Sequence, residues 1–162
     1  MNPIVLVVLF AIGVLSGFRS LTPVAIVSWL AVWGWTPVAG TPIRFIGSEL
    51  FAIIVSVLAV LELIADKLPK TPARTELMPL IARLVTGAIS AGALCFSSGR
   101  PWIAGALLGA VGALAGTFGG YHLRRFSVTR LRIPDLFVAL AEDFVAIAGT
   151  LLLVQIFFHS RV

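Results

Sequence analysis

Apolar positions along this chain fall in long blocks, and they neither alternate nor recur at a helical 3.6-residue period. Five blocks stand out, roughly 3–35, 49–68, 77–98, 101–121 and 134–158. At about 1.5 Å per residue, each of the last four is long enough to cross a hydrocarbon core about 30 Å thick. The first is too long for one straight crossing. It is interrupted by Gly17-Phe18-Arg19-Ser20-Leu21-Thr22-Pro23, where Pro23 lacks the backbone donor that a continuous helix needs. Two readings follow. One is a single bent or broken helix that continues past the membrane edge, which is the preferred expectation. The other is a hairpin of two short halves with Arg19 at its tip. Trp29, Trp33 and Trp35 crowd the second half, as expected where a helix meets a membrane interface. The pattern predicts an all-α fold: a polytopic transmembrane bundle of about five membrane segments, the first broken near Arg19–Pro23, forming a single transmembrane domain over residues 1–162. Met1-Asn2-Pro3 and the apolar run to Leu15 carry no positive leader, and Ser16-Gly17 is a weak cleavage site. That stretch reads as a retained membrane segment.

Composition agrees. The 162 residues are 59% hydrophobic and 12% charged, with a mean hydropathy of +1.08, about half the charged fraction of a soluble domain. The net charge of +5 is no nucleic-acid footprint, because most basic residues sit between apolar blocks and none forms a face interleaved with aromatics. They report topology instead. Lys67, Lys70 and Arg74 follow block two, and Arg124, Arg125, Arg130 and Arg132 follow block four. The remaining connections and the tail offer Arg44, Arg100 and Arg161. Seven against three places the 67–76 and 122–133 connections in the cytoplasm of a cell with a bacterial-type inner membrane. With five crossings the N-terminus is inside and the C-terminus outside, and the hairpin alternative moves only the N-terminus. The basic run His122 to Arg132 is expected on the inner surface near anionic lipids.

Ionisable residues inside the blocks carry the candidate chemistry, because such groups are costly in a bilayer. Glu62 and Asp66 stand four apart, on one helix face, just before Pro69 and Pro72. Counting from the block ends, Glu62 lies about 9 Å from the inner edge, Arg83 about 9 Å, and Glu142 and Asp143 about 12–14 Å. Glu62, Asp66, Arg83, Glu142 and Asp143 are thus expected at one level, from three helices. One reading is a polar pocket that handles a proton, a cation or a small charged solute, since clustered acids in low dielectric suit proton exchange. The other is a buried ion-pair network in which Arg83 and Lys67 neutralise the acids. Arg19, a lone cation beside a helix break, is either a ligand contact of the kind broken helices supply or a cap and partner for groups nearby.

Block four carries Gly105, Gly109, Gly112, Gly116 and Gly119 at spacings of four and three, a seam along which helix backbones can approach closely. Block three offers Thr86, Gly87, Ser90 and Ala91 as a partial match. The seam can join blocks three and four, or two copies of block four in a homodimer.

Other chemistries find little support. Cys95 is a lone cysteine in an apolar run, which excludes an intrachain disulfide and a thiolate metal cluster. His122 and His159 are too far apart and too near the block ends for a metal site. No P-loop and no serine–histidine pair can be picked out. No cofactor, metal or catalytic residue is expected.

Three stretches carry a resemblance: Gly17-Phe18-Arg19…Pro23 as Gly-x-Arg…Pro, Glu62-Leu63-Ile64-Ala65-Asp66-Lys67-Leu68-Pro69 as Glu-x-x-Ala-Asp-Lys-x-Pro, and Pro134…Glu142-Asp143 as Pro…Glu-Asp. Together, over nearly the whole chain, they resemble a family of small bacterial integral membrane proteins known only as a domain of unknown function. The resemblance implies a helical inner-membrane protein and supplies no substrate. The expected function is a small ion, proton or solute transporter without enzymatic activity, acting among membrane lipids as a homodimer without nucleic acid. A non-catalytic scaffold or accessory subunit is the alternative, and an intramembrane lipid-modifying enzyme the third.

Overall fold

A computed structural model describes residues 2–67 and 75–160. The connection holding Pro69, Lys70, Pro72 and Arg74, and the tail residue Arg161, lie outside the described residues. The chain is helical, and no strand occurs among the described residues. Six α-helices run α1 (Pro3–Phe18), α2 (Leu21–Val32), α3 (Glu49–Ala65), α4 (Leu77–Ser97), α5 (Trp102–Thr129) and α6 (Asp135–Ser160), with a 3-10 turn at Arg44–Gly47 before α3. Three of them, α4, α5 and α6, are long and apolar enough to cross a membrane, while α1 and α2 are shorter apolar helices. At 17 residues α3 is intermediate, about 26 Å long by its rise per residue.

The first block is broken, and the break reverses the chain. Asn2 caps α1 through a bond from Ile4 N to its Oδ1 (3.0 Å), and Pro3 sits at the start, where a missing donor is harmless. Arg19 is extended (φ −136°, ψ 109°) and ends the helix. Pro23 then falls in the first turn of α2, the other place where proline is tolerated. The proline therefore opens a second helix, where the sequence suggested a kink in one long helix. Direction follows from the neighbours. Asn2 reaches the Ser160 carbonyl (3.3 Å), while Arg19, at the other end of α1, meets Asp143 near the start of α6. The chain then returns along α2 until Trp35 meets Phe158, ring centroids 5.8 Å apart. The hairpin with Arg19 at its tip is what forms, in place of the preferred bent helix.

The core is built on α1, which packs against α4, α5 and α6. Val5, Val8, Leu9 and Ile12 are buried there. Glycine lets the backbones meet. A Cβ on Gly109 would collide with the Gly87 carbonyl of α4, and one on Gly112 or Gly116 with carbonyls of Phe10 or Val14 of α1. Gly13 and Gly17 of α1 answer from the other side, against Gly109 and Ala113. The seam is thus consumed within the chain, between α5 and both α4 and α1. Gly119 alone among its five glycines has no atom within contact range. By contrast α3 rests on α2 and on the 3-10 turn, and most of its large apolar side chains, from Leu50 to Ile64, are exposed, as suits contact with lipid.

Candidate functional site

The reversal at Arg19–Ser20 is where the intramembrane charges gather. The Arg19 side chain is fully buried. Its Nη1 donates to Asp66 Oδ2 of α3's end, and its Nη2 lies 2.5 Å from Asp143 Oδ1 of α6 and 3.5 Å from the Ala139 carbonyl. Lys67 Nζ closes the arrangement, 2.6 Å from Asp143 Oδ2 and 2.7 Å from the Leu63 carbonyl. Two carboxylates from different helices therefore share two cations.

Glu62 stands one turn before Asp66 and does a different job. Its Oε1 accepts from Ser20 N (2.9 Å) and Ser20 Oγ (2.6 Å), and its Oε2 accepts from Leu21 N (2.9 Å). These are donors that the first turn of α2 leaves without intrahelical partners, and a negative group there also meets the positive end of the helix dipole. Arg83 of α4, buried, donates from Nε to the Gly17 carbonyl (3.1 Å), freed by the end of α1, and its Nη2 lies 4.0 Å from Glu62 Oε1. The break is thus held from both sides: a carboxylate on its free N–H groups and a guanidinium on a free carbonyl.

Glu142 departs from the expected convergence. It precedes Asp143 by one position on α6, and neighbours on a helix point about 100° apart. Asp143 faces Arg19, whereas Glu142 turns to α5, with Oε2 3.5 Å from Arg124 Nη1. Arg124 also holds Asp135 in a two-pronged pair, 2.7 Å on each arm. Glu142 further lines a groove of about 320 Å³ between α5, α6 and Phe18, whose other walls include Leu123, Ile133 and Phe137. Of the five residues expected to converge, Glu62, Asp66, Arg83 and Asp143 meet at the break and Glu142 lies beside it, while Arg19, expected only as a separate candidate, joins them.

From the sequence, Lys67 has a topological and a neutralising role, and Arg124 is a topology signal within a basic surface run, with no carboxylate partner named for it. Ser20 was not singled out. Its signal was the position itself, a serine directly before a proline-bearing helix start. Two polar atoms at the break, Arg19 Nε and Thr22 Oγ1, are buried without a hydrogen-bond partner. Among the described residues no cluster of three or more histidine, cysteine, aspartate or glutamate side chains is arranged to hold a metal ion.

The family model described as Domain of unknown function (DUF4126) matches residues 6–158. The chain belongs to this family. The match includes the α1–α2 break and every member of the DUF4126 chain's charge cluster named above. No curated protein and no solved structure matches the chain.

Proposed function

We propose that this membrane protein is a small permeation unit for a proton, an ion or a small charged solute, with the α1–α2 break as its working part. One observation carries the reading. A fully buried arginine sits between two short helices, held by carboxylates at the end of α3 and on α6, and its own Nε and the neighbouring Thr22 Oγ1 are buried without a hydrogen-bond partner. Unsatisfied buried groups of this kind are where a bound water or solute atom fits, and broken helices offer such groups in transporters. Glu62, Asp66 and Asp143 are the proton- or cation-handling groups in this proposal, and Arg19 and Arg83 their charge partners. The end bearing Lys67 and Arg124 to Arg132 faces the cytoplasm of an inner membrane, by the excess of basic residues there. The protein acts without enzymatic turnover and as a homodimer.

A second reading has its own support. Each of Asp66, Asp143 and Glu62 has a direct partner, as expected of a scaffold whose charges fix helix register. Flux in proteoliposomes, with and without a pH gradient, separates the two. Asp66→Asn and Glu62→Gln are expected to insert and stay folded in detergent, at a lowered thermal midpoint, yet lose flux at least tenfold. Variants that misassemble, together with a wild type that passes no member of a broad ion and metabolite panel, would establish the scaffold instead.

A further inference from the structure

The cytoplasmic-charge end of α5 carries features that the permeation reading does not use. With 28 residues, α5 is about 42 Å long, roughly 12 Å more than a hydrocarbon core. Counted from Trp102, an aromatic suited to one interface, the excess begins near His122. The last turns of α5 therefore stand at the level of lipid headgroups. Arg124 is engaged there by Asp135 and Glu142. Arg125, Arg130 and Arg132 are exposed, and no carboxylate pairs with them among the described residues.

Arg125 and Arg130 line one hollow at this end of α5, and a second lies nearby. On one side, His122, Arg125, Phe126, Thr129 and Arg130 line an open cleft of about 450 Å³. On the other lies the apolar groove of about 320 Å³, lined by Phe18, Leu123, Ile133 and Phe137, with Ser127 and Glu142 as its polar members. Ser127 and Ile133 also bracket the turn that carries Arg130 and Arg132, closed by a bond from Ile133 N to the Ser127 carbonyl (3.2 Å). Arg132 adopts a left-handed backbone there (φ 55°), which holds the turn beside the groove.

We propose that this corner binds one anionic phospholipid, with part of an acyl chain in the groove and the phosphate on Arg125, Arg130 and Arg132. The charge arrangement selects the orientation. Glu142 in the groove wall repels an anionic head, so the head stays at the arginines and the chain enters. Three uncompensated cations distinguish an anionic from a zwitterionic head. The inference is independent of permeation, since none of these arginines belongs to the cluster at the break.

The test is native mass spectrometry of the delipidated full-length protein with phosphatidylglycerol or phosphatidylcholine of equal chain length. Phosphatidylglycerol is expected to be retained at least about fivefold better, on the order of one arginine's attraction to an anionic surface. The combined variant Arg125→Gln, Arg130→Gln, Arg132→Gln is expected to abolish that preference. Ala141→Phe, which fills the groove, is expected to lower phosphatidylglycerol retention with every arginine in place. Equal retention of the two lipids would overturn the proposal, as would a triple variant that keeps the preference. Displacement by water-soluble glycerol phosphate, or no effect of Ala141→Phe, would show a headgroup patch without a chain site and overturn it equally.

Discussion

Arg19 is fully buried, and among the described residues its charge is met by the carboxylates of Asp66 and Asp143. Removing one member of a buried pair leaves the others desolvated and uncompensated, at a cost of about 3–5 kcal/mol. Arg19→Met is therefore expected to lower the thermal midpoint in detergent severely. Adding Asp143→Asn removes one of the stranded charges, so the double variant should lose less than the sum of the single losses. Strict additivity in that cycle would mean the two side chains do not interact. Glu62 illustrates why residue type alone misleads. An acid four positions from another suggests a shared acidic site, but here one carboxylate caps α2 through Ser20 and Leu21 while the other pairs with Arg19.

Among the elements, α5 shows how closely helices approach when hydrophobic burial offers no drive between them. Gly109 and Gly116 touch backbone of α4 and α1, and Gly119 touches nothing. Gly109→Ala and Gly116→Ala are expected to force the helices apart and sharply reduce the folded yield. Gly119→Ala should be neutral or slightly stabilising, since alanine is the better helix former by about 1 kcal/mol. Comparable yields for all three, read by size-exclusion of detergent-solubilised protein, would contradict the packing. The seam was visible in the spacing of the glycines. Its neighbours were not, because the spacing says only that one face is small. That α1 takes half of it depends on α1 returning to the bundle's centre.

Across the whole molecule the hairpin sets which ends lie together. Asn2, Trp35 and Ser160 share one end, and Arg19, Lys67 and Asp143 lie towards the other. Single cysteines introduced at Asn2, Ala39 and Arg100 should therefore react with an impermeant maleimide from one side of the membrane, and one at Arg130 from the other. The native Cys95 is buried and should give little background. Labelling of Asn2→Cys from the same side as Arg130→Cys would restore the bent first helix and remove the tip from the charge cluster.

The membrane class and the break in the first block were already legible in local facts: block length and a proline. Those facts suffice because rise per residue and the exclusion of backbone donors are properties of short segments. Which side chains meet was decided by tertiary structure. Arg19 finds Asp66 47 positions away, and whether it can depends on one extended residue reversing α1 into α2. Glu142 and Asp143, adjacent in the chain, part company because a helix rotates about 100° between them and different helices stand on either side.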